Sequence, residues 1–270
     1  MFHYARGLYT QCHGLRGGVV NGFEHVMLFL VSLVANFFSA FSGGGAGLIQ
    51  LPMLIFLGLP FAVALATHKV ASVALGIGAT IRHLREEPLE RRLVTPILAF
   101  GLPGVIVGAN VILNVPERAA EVALGLLTAG LGIYSWLNPG LGQGVKLLHR
   151  DRCGALVGGL VLFGIGVLNG SLTSGTGLFV TMWLVRWFGL DYRRAIAYTL
   201  ILVGVFWNGT GALTLGLLGE IRWSWLPALL LGSLFGGYLG AHLAIRSGNR
   251  WIKRAFELVT LLVGVKLVMG

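Results

Sequence analysis

Ten apolar segments run through the chain, at roughly 26–41, 47–58, 61–81, 93–113, 119–137, 154–170, 177–189, 195–218, 223–245 and 252–269. Their recurrence leaves few options for the fold. Only 11% of the 270 residues are charged and 56% are hydrophobic, whereas a soluble domain carries about 25% charged residues. So few charges cannot cover a water-facing surface, which excludes a soluble monomer and a disordered chain. In hydrocarbon every backbone polar group must be satisfied within the segment, so apolar runs of this length read as helices. The expected fold is an all-α polytopic membrane protein, with the lipid bilayer as its solvent.

Two segments, 47–58 and 177–189, are too short to cross a ~30 Å hydrocarbon core as straight helices. Each follows a glycine-rich break, Ser42-Gly43-Gly44-Gly45-Ala46-Gly47 in the first half and Thr173-Ser174-Gly175-Thr176-Gly177 in the second. Shifting the sequence by 131 positions lays Gly44 on Gly175, Gly58-Leu59 on Gly189-Leu190, and Ala64 and Ala66 on Ala195 and Ala197. The same shift lays Pro96 on Pro227 and Gly101 on Gly232. One offset held across most of each half indicates an internal duplication. The organisation expected is an N-terminal tail (1–25), a first membrane repeat (26–137), a cytoplasmic linker (138–153) and a second membrane repeat (154–270).

Charge sets the orientation of such repeats. Loops 82–92, 138–153, 186–194 and 246–254 hold fourteen of the twenty Lys and Arg residues, and basic residues gather on the cytoplasmic side. With these loops inside, segments 61–81 and 195–218 run in opposite directions, so the two five-segment repeats are inverted. The short segments leave two counts open: ten crossings, or eight full crossings plus two half-helices. The N-terminus lies outside with ten, and inside if the first two segments form a re-entrant unit. The formal charge of +10 is spread over separate loops, which speaks against a nucleic-acid partner.

Irregular backbone inside a membrane is tolerated where it lines a cavity. The helices after the breaks would point their free N–H groups and positive dipole ends at that cavity, an arrangement suited to an anion. The candidate substrate-binding residues are Ser42, Gly43, Gly44, Gly45 and Gly47 from the first break and Thr173, Ser174, Gly175, Thr176 and Gly177 from the second. Thr67, His68 and Lys69 join them, about 12 Å into segment 61–81, where an ionisable residue is a functional candidate. Thr199, which the repeat lays on His68, and Asn208 complete the set. Lys69 is a direct anion contact in this reading, and His68 a ligand or proton carrier. Asn36, Gln50 and Asn169 are further intramembrane polar residues. Arg186 is expected to mark the inner surface and Lys266 to snorkel outward.

All ten carboxylates fall in loops or near segment ends, which suits an anion pathway better than a cation carrier. Cys12 and Cys153 lack metal-ligand spacing, so no metal or cofactor is expected. An enzyme is disfavoured: Leu172-Thr173-Ser174-Gly175 lacks the first glycine of a Gly-x-Ser-Gly motif, and Asp191 has no second catalytic aspartate.

The stretch Phe41 to Gly47, with Pro52, Gly58-Leu59-Pro60 and Ala64-Leu65-Ala66-Thr67, resembles the first half of the TauE/SafE sulfite exporter family of 4-toluene sulfonate uptake permease-like membrane proteins. Gly170, Ser174 to Gly177, Gly189-Leu190, Ala195 to Thr199 and Asn208 resemble its second half. The second half departs at Trp183, which stands where Pro52 would align. The resemblance implies a multi-pass protein of the prokaryotic inner membrane that exports sulfite, an organosulfonate or a related sulfur-containing anion. The expected mechanism is alternating access, one half rocking against the other around a midplane site. An anion channel of the same fold, or a transporter of another small anion, is the alternative. A homo-oligomer stays open.

Overall fold

The computed structural model of the chain describes residues 22–86, 88–111, 117–172 and 175–269. Among these residues the regular structure is entirely helical. We number the helices α1 (Gly22–Ser42), α2 (Gly47–Phe56), α3 (Phe61–His83), α4 (Arg91–Val111) and α5 (Glu117–Leu137) in the first half. The second half holds α6 (Arg152–Ser171), α7 (Thr176–Arg186), α8 (Tyr192–Leu218), α9 (Leu226–Ser247) and α10 (Asn249–Met269). Helix α1 starts at Gly22, inside the stretch expected as tail. The two short helices are α2 and α7, of 10 and 11 residues.

Among the described residues, six helices are long and apolar enough to cross a membrane: α1, α3, α4, α6, α8, and α9 with the turn before it. Helix α10 has the length, 21 residues, but carries more charge, and α5, also of 21 residues, is apolar over Gly125–Leu137. Arg250, Lys253, Arg254, Glu257 and Lys266 all lie on α10.

The packing exchanges partners between the halves. Helix α1 packs on α9, and its repeat counterpart α6 packs on α4, while α3 meets its own counterpart α8 and α5 meets α10. Small residues permit these close crossings. A Cβ at Gly236 would lie 3.0 Å from Phe37 N, and one at Gly166 would lie 2.6 Å from Gly101 O.

Contacts also fix direction. Thr67, near the start of α3, accepts the N–H of Arg222 just beyond α8, at 3.0 Å. Tyr198, near the start of α8, accepts the N–H of Glu90 just beyond α3, at 2.7 Å. Helices α3 and α8 are therefore antiparallel, as inverted repeats require. His25 lies 3.2 Å from Ser224 O, so the start of α1 shares an end of the molecule with the start of α9.

The basic loops share the opposite end, and hydrogen bonds join them. Arg193 and Arg150 reach Glu86 and Glu90 at 2.8 and 2.9 Å. Asn249 Nδ2 donates to Asp191 at 3.2 Å, and Lys146 N to Gly189 O at 2.8 Å. Arg82 also bonds Glu86, at 2.7 Å. That hydrogen bond, reinforced by the charges of Arg82 and Arg193, holds the Glu86 carboxyl below its ordinary pKa.

Candidate functional site

The two breaks meet. Residues 43–45 all have positive φ, as does Gly175 at the cap of α7. The contact is backbone on backbone: a Cβ at Gly44 would lie 2.6 Å from Leu178 N, and one at Gly177 would lie 3.1 Å from Gly44 Cα. Only glycine allows both the turn and the approach.

Beside this contact lies a cavity of about 40 Å³, room for about three waters or one small ion. Gly44, Gly45, Gly47, His68, Thr176, Gly177, Thr199 and Asn208 line it. Both helices begin at the wall of the cavity, with Leu48 N donating to Gly45 O at 3.0 Å and Leu178 N to Gly175 O at 2.9 Å, so the positive dipole ends of α2 and α7 lie beside it.

The other expected residues are placed elsewhere. Lys69 is buried behind the wall, and its Nζ donates to Asn169 O at 2.8 Å and Asn169 Oδ1 at 3.1 Å. Asn169 Nδ2 donates in turn to Thr176 Oγ1 at 2.9 Å, and both residues line the cavity. Lys69 is therefore joined to the lining through Asn169 and is not itself a lining residue. Gly211 gives it room, since a Cβ there would lie 2.8 Å from Lys69 Cδ. Ser42 turns back to Phe38 O and Gly44 O and stabilises the break. Gly43 packs against Ile196 and accepts from Thr181 Oγ1 at 2.8 Å. Thr67 holds the loop after α8, as above. Gly175 caps α7 outside the lining. Thr173 and Ser174 lie outside the described residues.

His68 sits in a polar chain. Its Nδ1 is 2.7 Å from Gln50 Oε1, and Gln50 Nε2 donates to Ser32 Oγ at 2.9 Å. Ser32 donates to Leu229 O at 2.8 Å and touches Ser233 Oγ at 2.9 Å. Ser72 Oγ lies 3.2 Å from His68 Nε2. Ser39 and Ser72 line the cavity, yet the sequence reading did not single them out. A weak signal existed for Ser72, four residues after His68 and so on the same helix face.

A second polar cluster joins α5, α8 and α10 away from the cavity. Lys253 pairs with Glu257 and donates to Ser135 O, while Ser135 Oγ contacts Glu257 and Tyr192 at 2.9 Å each. This corrects the placing of every carboxylate in loops or near segment ends: Glu257 lies two turns inside α10. The pair stands at i,i+4, so each charge neutralises the other within one helix. Arg186 donates to Tyr134 OH at 2.7 Å, and Lys266 is exposed.

Comparison with known proteins bears on nearly the whole chain. A probable membrane transporter protein of Haemophilus influenzae is 28% identical over 244 residues, 90% of this chain and 93% of the relative. The probable membrane transporter protein YfcA of Escherichia coli K12 is 27% identical, covering 90% of this chain and 88% of the relative. The probable membrane transporter protein YunE of Bacillus subtilis is 22% identical over 265 residues, 90% of this chain and 97% of its own length. No solved structure matches. The family described as sulfite exporter TauE/SafE matches residues 28–267; the chain belongs to that family of membrane proteins.

Proposed function

We propose that the chain is a secondary transporter of small sulfur-containing oxyanions, such as sulfite or an organosulfonate, and that it works as an exporter in the prokaryotic inner membrane. The observation that carries this reading is the charge balance around the cavity. Lys69 is fully buried, and none of the described ion pairs gives it a carboxylate. A buried charge without a counter-charge costs several kcal/mol. An oxyanion between the N-termini of α2 and α7 offsets that cost and accepts hydrogen bonds from groups already oriented toward it. Among the described residues no carboxylate lines the cavity, so none of them repels the ligand.

Alternating access follows the packing rather than the sequence halves. Because α1 and α3 both contact α9, and α4 contacts α6 and α8, the moving units in this reading are two interleaved bundles. They would slide along the α3–α8 contact, where a Cβ at Gly204 would lie 2.9 Å from Gly76 Cα. Each contributes one break, so their relative motion opens the cavity to one side at a time.

The test is sulfite movement in proteoliposomes containing the purified chain. A transporter gives flux that saturates and is accelerated by sulfite on the opposite side. Steady conductance without either property replaces the carrier with a channel, and no movement of sulfite or any sulfonate rejects the substrate class.

A further inference from the structure

The cavity wall has a basic atom that an anion alone does not need. The hydroxyl proton of Ser32 is committed to Leu229 O, so Ser32 Oγ accepts from Gln50 Nε2, and Gln50 Oε1 faces His68 Nδ1. A carbonyl oxygen only accepts. His68 therefore carries its hydrogen on Nδ1, pointing away from the cavity, and presents the lone pair of Nε2 beside Ser72 on the cavity side. A second acceptor stands across the cavity: Asn208, 8% exposed, has a buried Oδ1 with no hydrogen-bond partner. A bare oxyanion has only acceptors: it leaves Asn208 Oδ1 unsatisfied and offers Nε2 nothing beyond the Ser72 hydroxyl already 3.2 Å away.

We propose that His68 Nε2 accepts the acid proton of a hydrogen oxyanion, so that one proton binds and moves with each anion. This rests on the transport reading above and names the proton as its companion ion. No bond to sulfur changes. The proton either stays on the ligand oxygen and is shared with Nε2, or passes to Nε2 and leaves a more basic oxyanion beside an imidazolium. The bound charge is the same in both forms. The charged group nearest to His68 is Lys69 on its own helix, which faces Asn169 on α6. Toward His68 and the cavity, α1 brings Ser39, α2 brings Gln50, α7 brings Thr176 and α8 brings Thr199 and Asn208. Among the described lining residues, His68 is the one side chain with a basic nitrogen.

The experiment measures proton uptake when sulfite binds to the purified full-length chain in weak buffer. The pH is set where sulfite is mostly the dianion. The expected result is about one proton per sulfite bound, with affinity falling as pH rises further. His68→Gln, or His68→Thr after the residue of the other half, should bind sulfite without uptake and with affinity nearly independent of pH. Binding to the native chain without proton uptake overturns the proposal and leaves the anion site standing, as does uptake that persists in the variants. Absence of sulfite binding overturns the site itself. If both variants fail to fold, the native stoichiometry still decides.

Discussion

Two hydrogen-bonded pairs at equivalent positions of the repeats separate what the duplication preserved from what it let diverge. In the first half His68 bonds Gln50, and in the second Thr199 bonds Thr181 at 3.0 Å. The 131-residue shift lays one pair on the other. Beyond the pairs the halves part. Gln50 continues to Ser32 and Ser233, for which the shift gives Phe163 in the second half and Leu102 in the first. The second half holds the amide partner Asn169, which receives Lys69, where the first has Phe38. The shared scaffold thus supplies two helix N-termini, and the divergent side chains supply an imidazole from one half and the amide partner of Lys69 from the other.

The largest expected effect breaks the scaffold that both halves share. Gly44→Ala adds a Cβ 2.6 Å from Leu178 N at a residue with φ +150°. Backbone cannot yield as a flexible side chain does, so the breaks must separate. Thermal stability should drop by the equivalent of about 3 kcal/mol or more, and sulfite transport should vanish; native melting and flux would mean that the breaks do not need their contact.

Next come the pairs themselves. Gln50→Leu strands the buried His68 Nδ1–H and removes a donor from Ser32, at about 1–3 kcal/mol for each unsatisfied group. Thr181→Val removes one hydroxyl that reaches Gly43 O and Thr199, for about 1 kcal/mol. Melting temperatures of the two variants should therefore differ, with Gln50→Leu the lower. Equal losses would show that the first-half chain is not specially stabilising.

The smallest effect lies at the basic end. The Glu86 carboxyl has a folded pKa below its unfolded one. Its contribution is therefore fully present above the ordinary carboxylate pKa and is lost as pH falls through the depressed value. An acid titration of the melting temperature should show a slightly steeper fall for the native chain than for Glu86→Gln. The difference is small because exposed pairs are screened.

Much of this architecture is readable in the residues. Apolar runs punctuated by Gly58-Leu59-Pro60 and Gly189-Leu190 mark the helices, and the constant offset marks the repeat. The loops that share one end of the molecule are visible as Lys and Arg clusters, a bias that marks one side of a membrane. Helix rotation is not readable, since segments apolar on every side lack the polar face that would orient them. That is why Ser39 and Ser72 were missed and why Lys69 was expected in the cavity itself. Its true partner, Asn169, lies a hundred positions away and reaches it only once α6 is packed. Lys253 and Glu257 escaped notice for another reason: read as the edge of a basic loop, they form an ion pair inside α10.

The central claim is that the meeting point of the two breaks holds an anion against the charge of Lys69. The most direct measurement is equilibrium binding of sulfite to the purified native chain and to Lys69→Met, which keeps the length and removes the charge. At an effective dielectric of about 20, a unit charge several ångströms away contributes about 2 kcal/mol, or one to two powers of ten in Kd. Sulfite affinity should fall roughly ten- to a hundred-fold in a variant that still folds. Undiminished affinity in folded Lys69→Met would contradict it.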